Sequence, residues 1–330
     1  MKLIIAFLAL TLPLAHAKKS GKPFWTDTEK AKKEDPDFSI QGEYGSDKPG
    51  AKVGVQVVAL GDGKFDAYFL LDGLPGLGWT RDKKRVKITG ETNEGIVTFP
   101  TQDGISAQIE NGKMTLISQV HSGGKSIVIP RIERKSSTLN AKPPKGATVL
   151  FDGSSAKHWK NGKMENGLLL STGCTSIPTF KDYKLHLEFR TPYRPFERGQ
   201  GRGNSGVYFS GRWETQVLDS FGLDGKMNEC GGIYSVAAPI VNMCLPPLTW
   251  QTYDVDFTAA KFDADGKRTA WPRITVKLNG VVVHDNVELN KDLTTAAPIK
   301  GPIKDEGGPV FLQNHGNPVY FRNIWVLPGK

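Results

Sequence analysis

The sequence predicts an all-β protein built from two antiparallel units in series, and three observations carry that prediction. Short runs rich in Val, Ile, Phe, Tyr and Thr recur along both halves of the 330 residues, turn-forming glycine motifs punctuate them, and helical periodicity is nearly absent. The 37 glycines and 21 prolines serve the many turns of such a chain. A hydrophobic fraction of 38% with 9% aromatics supplies a real core and excludes disorder throughout.

Taken in order, residues 1–17, MKLIIAFLALTLPLAHA, combine one basic residue (Lys2), an apolar run and Ala-His-Ala. That is the pattern of a cleaved secretory signal, so export to the periplasm or the outside is expected. The apolar run is too short to cross a bilayer, and no second run of sufficient length follows, so no membrane span is expected. Residues 18–37 read as a polar arm or linker in which Thr26 or Asp27 caps a short helix that Pro36 stops. Residues 38–135 hold VGVQVVAL, FDAYFLL, RVKITGET, GIVTFP, ISAQIE, KMTLIS and SIVIPRIE, a small antiparallel β domain of sandwich or barrel type. Residues 136–147, SSTLNAKPPKGA, lack periodicity and mark the linker. Residues 148–330 return to longer strands, and Asn279-Gly280 between ITVKL and VVVHD is the strongest hairpin signal in the chain.

The formal net charge of +9 reads as a solvated basic surface, with attraction to acidic polymers or an anionic envelope as the alternative; no basic helix or RNP-like aromatic pair accompanies it, so nucleic acid is not an expected partner. Cys230 and Cys244 have the spacing of a short disulfide loop that would leave Cys174 free; three buried thiols are the alternative. GLPGLG (73–78) lacks the strand-helix setting of a dinucleotide site, and DADG (263–266) lacks the remaining ligands of a calcium loop and reads as a polar hairpin turn. His121, His158, His186 and His284 show no ligand spacing, and no cofactor is evident.

Chemistry concentrates in RGNSGVYFSGRWETQVLDS (202–220). Strand parity puts Arg212, Glu214 and Gln216 on one face, expected wet, and Trp213, Thr215 and Val217 on the other, expected packed. Asn204 offers an amide at the mouth of a strand, suited to sugar hydroxyls. Glu214 and Asp219 do not make the carboxylate pair of a retaining glycosidase: five residues along a strand places them on opposite faces and roughly 16 Å apart, where about 5 Å is needed.

LFDGSSAKHW (150–159), NGLLLSTG (166–173), KLHLEFRTP (184–192), GNSGVYF (203–209), WETQVLD (213–219), TWQTYDV (249–255) and LQNHGNPVYFRNIWVLP (312–328) occur in one order. Together they resemble the 3-keto-disaccharide hydrolase family, whose domain covers 3-keto-glucoside lyases and 3-keto-2-hydroxyglucal hydratases. The resemblance implies a concanavalin/glucanase-like jelly roll with a sugar cleft. It also implies action on oligosaccharides or glycosides already oxidised at C3, with a separate sugar 3-dehydrogenase upstream. On such a substrate one base suffices, because the C2 proton lies α to a carbonyl and the C1 substituent leaves by β-elimination.

Glu214 and His315 are the candidate acid/base groups, and Asn204, Gln216, Gln313, Asp219 and Tyr208 are candidates to hold the sugar. Arg212 is a candidate donor because it shares parity with Glu214, whereas Arg322 is expected to brace the last strand against a carboxylate. Phe311, Gln313 and His315 alternate onto one face. A divalent metal polarising the ketone would draw on Glu214, Asp219 or His315. Asn314 stands where the family commonly has Asp, which puts any role of that acid in doubt here. The rival reading is a non-catalytic carbohydrate-binding sandwich of the cell envelope, with Tyr208, Trp213 and Trp250 as ring platforms.

Overall fold

The computed structural model describes residues 21–119 and 123–329. The signal pattern of residues 1–17 and His121 lie outside them. The arm is folded onto the body: Trp25 exchanges backbone hydrogen bonds with Tyr193 at 3.0 and 2.9 Å. Asp27 caps helix α1 (Thr28–Glu34) by accepting from the Lys30 amide at 2.8 Å. Pro36 does more than stop this helix. It opens a second one, α2 (Pro36–Ile40), at the first-turn position where its missing N–H costs nothing.

Eight strands follow: β1 (Gly42–Tyr44), β2 (Val53–Gly61), β3 (Lys64–Leu71), β4 (Arg85–Asn93), β5 (Ile96–Gln102), β6 (Ile105–Glu110), β7 (Lys113–Ser118) and β8 (Ser126–Ile132). They form a closed antiparallel barrel, sealed where β1 pairs with β8. Strands β4, β6 and β7 alternate buried and exposed residues, the period-two pattern of a sheet with one wet face. Strands β2 and β3 are buried on both faces, because their outer side is the docking surface for the second unit. At Gly61 the ring of Phe196 lies so close that a Cβ would sit 2.3 Å from it, so this close approach requires glycine.

The second unit contains β9 (Thr148–Phe151), β10 (Trp159–Lys160), β11 (Met164–Glu165), β12 (Leu168–Leu170), β13 (Cys174–Ser176), β14 (Tyr183–Arg190), β15 (Ser205–Phe209) and β16 (Trp213–Val217). It continues with β17 (Gln251–Thr258), β18 (Lys261–Phe262), β19 (Arg268–Ala270), β20 (Arg273–Leu278), β21 (Val281–Glu288), β22 (Phe311–Leu312) and β23 (Tyr320–Pro328). One sheet runs β10-β13-β22-β15-β16; the larger runs β11-β12-β23-β14-β17-β20-β21, with β9 on the side of β23. The sheets face each other across an aromatic core in which Phe209 and Trp213 of the smaller sheet meet Phe257 of the larger at 6.0 and 5.9 Å between ring centroids. This is the sandwich that the strand pattern predicts. The Asn279-Gly280 turn joins β20 to β21 with φ of 55° and 83°, the left-handed pair that a tight hairpin needs. All three cysteines are free and buried.

Candidate active site

The smaller sheet positions the polar residues by register. Pairing sets Phe311, Tyr208 and Glu214 in one row across β22, β15 and β16, and Gly206 beside Gln216 in the next. These side chains point away from the aromatic core, while Val207, Trp213 and Val217 enter it. The parity of Glu214 and Gln216 is as predicted, but the face is not wet. Glu214 is 3% exposed, Gln216 and Asn204 are 1%, and Tyr208 is fully buried. The edge of β16 is paired with the Gly231–Ala237 stretch, Gln216 N donating to Gly232 O and Tyr234 N to Glu214 O, and on the face itself the Gln200 side chain lies against Asn204 and Gln216.

Glu214 has few partners. The Tyr208 hydroxyl donates to its Oε2 at 2.6 Å, and Gln313 Nε2 donates to that hydroxyl at 3.2 Å. Burial pushes the carboxyl up to about 7, only partly offset by the Tyr208 bond. Gly206 makes the room: a Cβ there would stand 2.2 Å from Glu214 Oε1. Beside it, Gln200 accepts from Asn204 Nδ2 at 2.8 Å and from Gln216 Nε2 at 3.0 Å. The buried oxygens Gln216 Oε1 and Gln313 Oε1 have no partner among the described residues. Two dry acceptors next to a protonatable acid form a surface that suits hydroxyl donors.

Three candidates fall elsewhere. Asp219 bonds to Arg202 Nε at 2.7 Å in a buried ion pair, and Arg202 reaches across to Ala59 O and Gln41 of the barrel side, so Asp219 braces the junction between the two units. Arg212 does not share the Glu214 face, because the turn closed by Arg212 N donating to Phe209 O breaks strand parity; its guanidinium donates to Gly301 O and Pro302 O. His315 does not alternate with Phe311 and Gln313: β22 ends at Leu312, and the histidine sits exposed on the following loop, two residues from Gln313. Glu214, Asp219 and His315 thus do not converge, and among the described residues no group of three His, Cys, Asp or Glu side chains could hold a metal ion. All three ring platforms are already engaged: Tyr208 and Trp213 are buried, and the Trp250 ring packs against the Arg190 and Arg322 guanidiniums at 4.9 and 4.1 Å.

Gln200 was missed by sequence reasoning. It lies in a single 3-10 turn (Gly199–Gly201) inside a glycine-rich stretch, and only three-dimensional contact with Asn204 and Gln216 reveals it.

The model of the 3-keto-alpha-glucoside-1,2-lyase-like domain matches residues 146–327, more than half of the 330 residues. Similar solved structures include two crystal structures of proteins from Parabacteroides distasonis ATCC 8503, each described as a "putative glycosyl hydrolase". One is 31% identical, with a TM-score of 0.49 over 56% of this chain and 85% of that chain. The other is 19% identical, with a TM-score of 0.41 over 56% of this chain and 95% of that chain. No curated protein matches. The family span runs from just before β9 into β23 and holds both sheets and every residue of the Glu214 cluster, so the chain belongs to the 3-keto-alpha-glucoside-1,2-lyase-like domain family, and its function is carbohydrate-active.

Proposed function

We propose that the chain is an enzyme that cleaves 3-keto-glycosides by β-elimination and hydration, with Glu214 as the proton-transfer group. The observation that carries this reading is a buried carboxyl held at about 7 among unpartnered amide oxygens. A group poised near neutral pH both takes and returns a proton efficiently. The Glu214 carboxylate removes the C2 proton, the electrons pass into the C3 ketone as an enolate, and their return forms the C1=C2 bond as the C1–O bond breaks. The leaving oxygen takes a proton, either from Glu214 or from His315 on the loop beside the cluster. Addition of water across C1=C2 completes a net hydrolysis. Gln216 Oε1 and Gln313 Oε1 accept sugar hydroxyls, and Asn204 and Gln200 fix the Gln216 amide.

Ordinary retaining hydrolysis finds no second carboxylate here, since Asp219 is held by Arg202. The substrate's ketone requires a separate sugar 3-dehydrogenase, and the pattern in residues 1–17 supports export. A proton-NMR time course with a 3-keto-glucoside and with the unoxidised glucoside tests the reading. Consumption of only the ketosugar, lost in Glu214→Gln while sugar affinity remains, supports it. Line broadening without turnover of either compound in the unaltered protein would leave only a binding module.

A further inference from the structure

A cavity away from the Glu214 cluster lies where helices α1 and α2, the closing strand of the barrel and the loop of residues 246–249 of the second unit meet. Its volume is about 270 Å³, roughly the share of nine water molecules in the liquid. It therefore has room for one small ring and not for a chain of them.

Gln41, the C-cap of α2, lines this cavity and is 1% exposed. Its Oε1 accepts from the Ala59 amide at 3.1 Å and from Arg202 Nη2 at 3.2 Å. Its Nε2 is buried and has no partner among the described residues. Buried amide donors are seldom left so, because the desolvation of an unpaired donor is not repaid.

The remaining lining narrows the ligand. Arg131, Arg134 and Lys135 face it from the end of the barrel, and Phe38, Pro247 and Leu248 give it an apolar wall. The two acids present are already claimed, Glu43 by Arg134 and Glu133 by Arg131. Lys135 is exposed at the lip and makes no ion pair among the described residues. The lining carries four cations, Lys32, Arg131, Arg134 and Lys135, against two carboxylates, so a cation would meet a net positive wall, and a purely apolar molecule would leave the Gln41 donor dry. An anion that also carries hydroxyls on a ring with an apolar face satisfies every wall.

We propose that this cavity binds a single carboxylated sugar unit, a uronate, taken either free or as the end of an acidic oligosaccharide. The carboxylate lies toward Lys135 and Arg131, a ring hydroxyl accepts from Gln41 Nε2, and the ring face packs on Phe38 and Leu248. The site is independent of the chemistry at Glu214, although Gln41 also holds Arg202 and through it Asp219.

Calorimetric titration of the full chain with D-glucuronate, D-glucose and a glucuronate-terminated disaccharide at fixed ionic strength tests the proposal. Glucuronate binds and glucose does not. Loss of one charge-assisted contact in Lys135→Glu weakens glucuronate about tenfold. Gln41→Leu also weakens it, and Lys135→Glu keeps the test valid where that buried change disturbs folding. Tighter binding of the disaccharide than of glucuronate assigns the site to oligosaccharide ends, and weaker binding assigns it to the free sugar acid. Equal affinity for glucose and glucuronate, affinity unchanged by Lys135→Glu, or loss of binding in Glu214→Gln would each overturn the proposal.

Discussion

Two buried glutamates, one on each sheet of the sandwich, are driven in opposite directions by their surroundings. Glu214 on the smaller sheet and Glu188 on the larger are 3% and 0% exposed. Burial pushes Glu214 up to about 7, and among the described residues the Tyr208 hydroxyl is what opposes it. Burial also pushes on Glu188, but His186 at 3.7 Å and hydrogen bonds from Asn323, Arg322 and the Asn140 amide bring it down to about 2. His186 in turn has its pKa raised: burial opposes the charged ring, but Asp254 and Glu188 outweigh it. Residues of the linker, Ser136 and Thr138, bond to Thr252 and Asp254 of the same sheet and strap this region shut. A carboxylate with every lone pair answered is structural. One left short of partners in a buried cluster stores a proton for use.

The largest expected effect breaks the comparison on the functional side. Glu214→Gln removes a proton-transfer group and lowers kcat on a 3-keto-glucoside by about 10²–10⁴-fold, with far-UV circular dichroism unchanged. Glu188→Gln acts on stability alone: it costs about 3 kcal/mol at neutral pH, measured by denaturant midpoint, while kcat/KM stays near that of the unaltered protein. That contribution is present above the ordinary carboxylate pKa of 4.5 and is lost as pH falls toward 2. The pH dependence of Glu214 has the opposite sign. Its carboxyl stays protonated in the folded chain up to about 7 but ionises near 4.5 when unfolded, so unfolding releases a proton and stability falls as pH rises between those values. Glu214→Gln lacks this slope and is more stable than the unaltered protein above pH 7 by about 2–3 kcal/mol. The smallest effect sharpens the contrast further. Tyr208→Phe deletes the one hydroxyl that favours the carboxylate, and the acid limb of the pH–rate profile moves up by about half a unit to one unit.

Much of the architecture was legible because strand periodicity and turn chemistry are local. The β runs, the Asn279-Gly280 turn and the placement of Trp213 against Glu214 follow from alternation, and Arg322 pairs with Glu188 at 2.7 Å as its braced position predicts. What was not legible depends on non-local packing. Nothing in WETQV says that the Glu214 face is buried, and nothing in VLDS says that Asp219 meets Arg202 at the barrel. Parity failed for Arg212 and His315 for one reason, namely that each lies just outside a strand. Polarity reads residues 18–37 as an arm or linker and does not reveal its docking, in which Trp25, with Phe38 just beyond the arm, packs on Tyr193 at 5.4 and 5.0 Å between centroids.

Carboxyl carbon NMR titration of the glutamate-labelled protein, with Glu214→Gln and Glu188→Gln used to assign the two signals, tests the central contrast most directly. The account predicts a Glu214 midpoint of about 7 and a Glu188 midpoint of about 2. A Glu214 midpoint near 4.5, the value of an ordinary exposed carboxyl, would contradict it.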